Sequence, residues 1–154
     1  MVLTGAGKGF CSGGSVDEII GPLFERDLAG TLAFTRMTGA VVRNMLRLDK
    51  PIVAAINGFA LGGGCELALA CTLRTASTTA RMGLPEVTLG LIPGYGGTQR
   101  LARIVGTGRA MDMILSARMV KADEALSMGL VGQVVERPEL LERALDMAGR
   151  LTAN

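Results

Sequence analysis

The sequence predicts an α/β fold, and three observations support this prediction. Short apolar runs bounded by turn residues alternate with longer segments whose apolar residues recur at helical spacing. An apolar strand, Ile52–Ile56, leads through a turn and three glycines into an apolar helix, Cys65–Cys71. The chain has 154 residues, of which 49% are apolar and 19% charged, so it can bury a substantial core. We therefore expect a single domain over residues 1–154, without a linker or a clear internal repeat.

The first third of the chain is expected to form one strand and two helices. Met1–Thr4 is an apolar run typical of a short strand. Ser15 and Glu18 have the spacing of a capping box, so a helix is expected to begin there. A long helix is predicted over Glu25–Leu48, and we expect its apolar stripe to face the core. The stripe consists of Leu28, Leu32, Met37, Val41, Met45 and Leu48.

The remaining elements follow from the same patterns. Further strands are predicted at Thr72–Ala76, Ala80–Gly83 and Leu130–Val135. Further helices are predicted at Glu86–Leu89, Thr98–Val105, Arg109–Ser116, Ala122–Met128 and Pro138–Leu151. Glycines end several of these helices, because glycine readily adopts the conformation that follows a helix C-terminus. Thr107 is expected to cap the helix that begins at Arg109.

Composition excludes several classes of function. The formal net charge is only +2, which does not suggest a nucleic-acid or membrane-surface partner. The chain contains no histidine, so catalytic triads, Cys–His pairs and histidine metal sites are excluded. The cysteines, Cys11, Cys65 and Cys71, lack metal-ligand spacing and are expected to be free thiols in a reducing compartment. We expect no metal.

Localisation is predicted from what precedes the first strand and from the apolar runs. No signal peptide precedes Met1–Thr4, and no apolar run approaches the length that spans a bilayer. We therefore expect no membrane partner, and a chain that works in the bacterial cytoplasm or in the mitochondrial matrix.

The passage from Pro51 to Leu67 is the strongest candidate for a site. Gly62 to Cys65 lie at a helix start, where unpaired N–H groups and the partial positive charge of the helix favour an oxyanion. Glu66 follows in the first turn, so a carboxylate would lie beside that oxyanion and could act as acid or base. The glycines are equally typical of a helix packed against a strand. They also partly match a dinucleotide fingerprint, but its last glycine is missing.

Five ordered segments together resemble the crotonase superfamily, also called the enoyl-CoA hydratase/isomerase family. They are FCSGG (10–14), NGFALGGGCELALAC (57–71), GLPEVTLGLIPGYGGTQRL (83–101), GTGRAMDMIL (106–115) and ADEALSMGLVGQVV (122–135). The resemblance covers nearly the whole chain and implies a core of ββα units wound into a spiral. Family members carry strands before Met1 and helices after Asn154. We therefore expect a crotonase-like core without those parts, as a fragment, a trimmed chain or a naturally short relative.

The resemblance also implies a site for an acyl-CoA thioester. Its carbonyl oxygen would bind between the backbone N–H groups of Gly14 and Gly63. Members that hydrate 2-enoyl-CoA hold one water between two glutamates, and Glu66 and Glu86 occupy both of these positions. We expect Glu66 to be the base, Glu86 to donate the proton to C2, and Gly94 to help position the water. Substrate contacts are expected from Lys8, Phe10, Gly13, Leu84 and Tyr95.

The resemblance thus implies reversible hydration of a trans-2-enoyl-CoA to a 3-hydroxyacyl-CoA, with no cofactor, since coenzyme A is part of the substrate. Two alternatives stay open: an enoyl-CoA isomerase that uses Glu86 alone, and a non-catalytic acyl-CoA-binding or assembly fragment. A homo-oligomer, a trimer or a dimer of trimers, is expected from the family.

Overall fold

The computed structural model describes residues 1–152, whose strands form two sheets. The first sheet has the order β1-β2-β4-β7 with parallel pairing throughout, and the second has the order β3-β5-β6. In the second sheet β3 and β5 are parallel, whereas β5 and β6 are antiparallel. The strands are β1 (Val2–Thr4), β2 (Val53–Ile56), β3 (Phe59–Leu61), β4 (Leu73–Ser77), β5 (Arg81–Gly83), β6 (Val120–Lys121) and β7 (Gln133–Val135).

Seven α-helices lie within residues 1–152, together with one π-helix and two 3₁₀-helices. The α-helices are α1 (Gly21–Phe24), α2 (Leu28–Arg47), α3 (Gly63–Ala70), α4 (Gly97–Val105), α5 (Thr107–Ser116), α6 (Ala122–Ser127) and α7 (Leu140–Thr152). A π-helical turn spans Val16–Ile20, and 3₁₀-helices span Pro85–Leu89 and Arg137–Glu139.

Strands β2 to β5 alternate between the two sheets, which confirms the predicted α/β fold of ββα units. Strands β2 and β3 precede α3, and β4 and β5 precede the 3₁₀-helix and α4. The first unit is reduced: β1 is followed by Cys11, which makes a single bridge to Ala60 of β3. The sequence gives no sign of this repeat because the units share a geometry rather than a residue pattern.

The core lies on both faces of β2, which is completely buried. Val53 and Ala55 face α7 and pack with its residues Leu140 and Ala144. The alternate residues of β2 face the larger cluster, which α3, α4, α5 and α6 also fill. This division follows from the two-residue period of a strand, and it explains why β2 reads as an uninterrupted apolar run.

Two short strands were not predicted, and some boundaries differ. Phe59–Leu61 and Val120–Lys121 are strands, but runs of two or three residues are too short to show alternation. Helix α3 begins at Gly63. Of the three glycines that were predicted to precede the helix, the last two therefore belong to it. The predicted strand Leu130–Val135 is confined to Gln133–Val135.

One predicted helix cap is confirmed, whereas a second cap and the start of the last α-helix differ from the prediction. The Ser15 cap is confirmed, since its Oγ accepts a hydrogen bond from the Glu18 N–H at 3.2 Å, although the helix that it begins has only five residues. The Thr107 cap is wrong, because the residue preceding α5 is Gly106 and Thr107 is already helical. The last α-helix begins at Leu140 rather than Pro138, after a 3₁₀ turn.

The expectation that the α2 stripe faces the core is wrong for residues 1–152. Leu28 is 85% exposed and Met37 is 61% exposed, while Val42, which lies beside the stripe, is buried. Met45 alone in the stripe packs partly against the core. Helical spacing shows which side chains share a face, but it does not specify whether another element covers that face.

The expectation of free thiols is confirmed for the three cysteines. Cys65 and Cys71 are buried, Cys11 is half-buried, and all are free thiols. Burial raises the pKa of Cys65 to about 12 and that of Cys71 to about 11, so both stay neutral at physiological pH. No helix among residues 1–152 is both long and apolar enough to cross a membrane. Ala153 and Asn154, the last residues of the predicted domain, lie outside the described residues.

Candidate active site

The parallel pairing of β3 with β5 brings the predicted glutamates to one edge of the second sheet. Leu61 and Gly83 end the two strands in register, and the Gly62 N–H donates to the Gly83 carbonyl at 3.0 Å. Glu66 follows β3 in the first turn of α3, and Glu86 follows β5 in the 3₁₀-helix. The carboxyl end of parallel strands is where α/β proteins commonly bind ligands.

Glu66 is buried and held at a helix N-terminus. Only 2% of the residue is exposed, and its Oε1 accepts hydrogen bonds from the Tyr95 N–H at 2.8 Å and the Gly97 N–H at 2.7 Å. Gly97 is the first residue of α4, where N–H groups are free to bind an anion. A Cβ at Gly97 would lie 2.9 Å from Glu66 Oε1, so only glycine allows this approach.

Burial raises the pKa of the Glu66 carboxyl group to about 7. The negative charge of Glu86 contributes to this rise, whereas hydrogen bonds from the Gly97 and Tyr95 amides and the Arg100 charge partly oppose it. Each hydrogen bond to the carboxylate favours the charged form, and desolvation opposes it. Glu66 therefore exchanges a proton near neutral pH, as a general base or acid must do.

Glu86 carries a buried carboxylate oxygen without a partner. Its Oε2 has no hydrogen bond from any residue among 1–152, and its Oε1 lies 3.5 Å from where a Cβ of Gly62 would be. Burial raises the pKa of Glu86, and a hydrogen bond from its own backbone partly opposes this. Buried polar atoms are seldom left unpaired, so this oxygen is available to a reacting group.

The segment Phe10–Gly14 lies directly against the start of α3. The Phe10 and Cys11 N–H groups donate to the Phe59 carbonyl at 3.0 Å, and the Leu61 N–H donates to the Cys11 carbonyl at 3.0 Å. A Cβ at Gly64 would lie 2.0 Å from Cys11 O, so the close contact requires glycine there. A Cβ at Gly13 would lie 3.1 Å from the Gly63 nitrogen. The two glycine segments therefore adjoin each other.

Most of the predicted site residues come together, and a few lie apart. The ring of Tyr95 packs near Gly63, and Leu84, which is fully buried, lies near Gly97 and Glu66. The residues grouped around the edge of the second sheet are Gly13, Gly63, Glu66, Leu84, Glu86 and Tyr95.

The other predicted residues occupy the periphery or the core. Gly14 is exposed and lies beside the side chains of Ile19 and Ile20. Lys8 and Gly94 are exposed, whereas Phe10 is buried in the main cluster. Phe10 can therefore contact a ligand through its backbone rather than its ring.

Asn57 was predicted only as a turn residue, but its side chain organises a loop. The side-chain amide donates to the carbonyls of Gly5 at 3.1 Å, Gly7 at 3.1 Å and Gly9 at 3.2 Å, and its Oδ1 accepts from the Gly5 N–H at 3.2 Å. Asn57 is buried, so it connects the end of β2 to the loop that leads into Phe10–Gly14. Its position next to Gly58 offered no signal beyond turn chemistry.

We expect Asn57→Asp to destabilise the fold by about 1–2 kcal/mol, because the side chain loses its donors and an ionised carboxylate would face carbonyl oxygens. Urea unfolding at pH 7.5 measures this change. The matched control is Asn44→Asp on the exposed side of α2, which should leave stability almost unchanged. Equal effects of the two substitutions would show that the Asn57 hydrogen bonds are unimportant.

Within residues 1–152, no group of three or more His, Cys, Asp or Glu side chains could hold a metal ion. Two open cavities lie elsewhere in the fold, and neither is lined by Glu66 or Glu86. One, of about 270 Å³, is lined by Thr78, Arg81, Lys121, Ala122, Asp123 and Val134. The other, of about 230 Å³, lies between α4 and α5.

Comparisons with known proteins show similarity along the whole chain. A family model described as enoyl-CoA hydratase/isomerase matches residues 1–154. The chain is 47% identical to a short-chain-enoyl-CoA hydratase of Clostridium acetobutylicum, over 100% of this chain and 58% of that protein. It is 44% identical to a crotonyl-CoA hydratase of Syntrophomonas wolfei, over 98% of this chain and 57% of that protein. The chain thus spans less than two thirds of the length of these relatives.

A solved structure extends the similarity to the fold. The crystal structure of an enoyl-CoA hydratase from Bacillus anthracis matches with a TM-score of 0.91 and 42% identity. The match covers 99% of this chain and 58% of that chain. The two proteins therefore share a fold over nearly the whole of this chain.

Proposed function

Because the chain belongs to the enoyl-CoA hydratase/isomerase family, we propose that it adds water reversibly to a trans-2-enoyl-CoA and forms a 3-hydroxyacyl-CoA. The observation that carries this proposal is the pair of glutamates that follow the carboxyl ends of β3 and β5, of which Glu66 is buried and Glu86 is half-buried. Glu66 is fixed by two backbone N–H groups, and Glu86 keeps one buried oxygen unpaired. Hydration needs one group that takes a proton and one that gives a proton, and this pair can supply both.

In the proposed reaction, Glu66 takes a proton from a water molecule whose oxygen attacks C3 of the enoyl group. The electron pair of the double bond moves to the thioester oxygen and forms an enolate. Glu86 then gives its proton to C2 as the enolate collapses back to the thioester. The proton on Glu66 passes to Glu86 or exchanges with solvent, which restores the pair. Because the two carboxyl groups interact, their titration belongs to the pair.

The enolate oxygen is proposed to bind between the N–H groups of Gly14 and Gly63. Loss of one such donor typically slows acyl chemistry by about 100- to 1000-fold. The contact between Gly13 and the Gly63 nitrogen supports a shared site for the two amides. Gly94 is proposed to help position the water.

The further substrate contacts are also proposals. Tyr95 lies close to Gly63 and Leu84 lies close to Gly97, so these two side chains are proposed to line the acyl pocket. The loop around Lys8 is the proposed contact for coenzyme A. The bacterial relatives support the cytoplasm as the compartment. A homo-oligomer is proposed from the family, and the exposed apolar residues of α2 are compatible with a covered face.

The proposal is tested by incubating the protein with crotonyl-CoA and following the absorbance of the conjugated enoyl group. The relatives named for short-chain and crotonyl substrates make this thioester the first choice. We expect the absorbance to fall at a rate proportional to protein concentration. Binding of crotonyl-CoA without any loss of absorbance would instead support a non-catalytic acyl-CoA-binding fragment. No binding and no turnover would refute the proposal for this chain.

A further inference from the structure

Arg100 contacts the loop whose N–H groups hold the Glu66 carboxylate. It lies on α4, is half-buried, and its Nη1 donates a hydrogen bond to the carbonyl oxygen of Tyr95. A Cβ at Gly96 would lie 2.9 Å from the same Nη1, so the guanidinium folds back over that glycine. The loop from Tyr95 to Gly97 is therefore held by Arg100 at a carbonyl, while its N–H groups hold Glu66 Oε1.

Arg100 is the source of positive charge near the Glu66 carboxylate. The charged groups that act on Glu66 are Glu86 from the 3₁₀-helix and Arg100 from α4, and the Cys65 thiol lies beside it on the same helix. Within residues 1–152, Arg100 supplies the positive charge of this set and is not engaged in an ion pair with any carboxylate at 4.0 Å or less. The influence is mutual, because the Glu66 charge opposes the lowering of the Arg100 pKa that burial causes.

We propose that Arg100 is a positioning residue for the base Glu66: it anchors the Tyr95 carbonyl and places a positive charge behind the loop whose N–H groups hold the carboxylate. The inference rests on the proposed function. Arg100 touches neither the reacting atoms nor Glu66 itself. Its effect reaches the carboxylate through the Tyr95 and Gly97 amides and through space.

The test is a titration of the Glu66 carboxyl carbon by NMR in protein labelled with ¹³C-glutamate, with the Glu66 signal assigned from the Glu66→Gln variant. We expect Arg100→Met to move the midpoint upward by about half a pH unit or more, since a nearby opposite charge favours the carboxylate. Arg100→Lys should restore part of this shift. Arg103→Met is the matched control, since it removes an exposed cation of α4 that does not contact the loop, and it should not raise the midpoint.

Activity provides a second readout that a purely structural role would not shift. The acidic limb of the kcat–pH profile should move upward in Arg100→Met and return towards the wild-type position in Arg100→Lys. If Arg100→Met fails to fold in a thermal melt, Arg100→Gln replaces it, because glutamine keeps a donor for the Tyr95 carbonyl and lacks the charge. An unchanged Glu66 midpoint in a folded variant would overturn the inference.

The failure of this inference can be distinguished from a failure of the proposed function. The NMR titration needs no turnover, so it decides the role of Arg100 even in a chain without hydratase activity. Hydration by the wild type together with an unshifted midpoint would refute the role of Arg100 alone.

Discussion

Replacing either glutamate by glutamine is expected to lower kcat for hydration of crotonyl-CoA by about 100- to 10,000-fold, the usual contribution of a positioned general acid or base. Glu66→Gln keeps an oxygen that accepts the Tyr95 and Gly97 hydrogen bonds but can no longer take a proton from water. Glu86→Gln keeps the shape of the side chain and removes the proton that C2 needs. Initial rates at saturating substrate measure both effects.

Affinity for the thioester serves as the internal comparison for these variants. Neither substitution changes a proposed oxyanion donor, so crotonyl-CoA should bind each variant within a few-fold of wild type. The matched control, Glu142→Gln on the exposed side of α7, should keep full activity. Intact hydration in Glu66→Gln combined with an inactive Glu86→Gln would contradict a glutamate pair and favour the isomerase that uses Glu86 alone.

Glu66→Gln is also expected to change how stability depends on pH. The pKa of Glu66 rises from 4.5 to about 7 on folding. The native state therefore binds this proton more tightly than the unfolded chain, and the favourable contribution, complete below pH 4.5, is lost as pH rises to about 7. The glutamine variant has no such loss. The difference in free energy of unfolding between the variant and wild type should therefore shift in favour of the variant by on the order of 2–3 kcal/mol between acidic pH and pH 8.

Urea unfolding of the two proteins at pH 4.5 and pH 8 measures this difference, because contributions from groups other than the coupled Glu86 largely cancel between them. Glu142→Gln again serves as the control, since its exposed side chain should give a pH-independent difference. A stability difference between wild type and Glu66→Gln that is the same at both pH values would mean that folding does not perturb the Glu66 carboxyl group.

The family and the ββα fold could be predicted from the sequence, and the roles of the two glutamates stay predictions that rest on the family resemblance. Glycines before a helix, a carboxylate in its first turn and proline at the start of the 3₁₀-helix are features of adjacent residues. The meeting of Glu66 with Glu86 needed one further fact, the parallel pairing of β3 with β5. That pairing joins strands of three residues each, and the first was missed altogether.

The features that the sequence did not predict depend on contacts between distant segments of the chain. The hydrogen bonds from Tyr95 and Gly97 to Glu66 span about 30 residues of sequence, and those of Asn57 span about 50. No local pattern encodes such a partner, so Asn57 and Arg100 were not singled out. The stripe of α2 failed for a related reason: periodicity defined its apolar face correctly, but Leu28 and Met37 have no covering element among residues 1–152.

Isotope incorporation tests the glutamate-pair chemistry most directly. Crotonyl-CoA is incubated with the protein in H₂¹⁸O, and the products are analysed by mass spectrometry. Hydration predicts 3-hydroxybutyryl-CoA that carries one ¹⁸O at C3 with an intact thioester, and almost none of it from Glu66→Gln or Glu86→Gln. Bound crotonyl-CoA that is recovered unchanged, or a product with a shifted double bond and no ¹⁸O, would contradict the proposed addition of water.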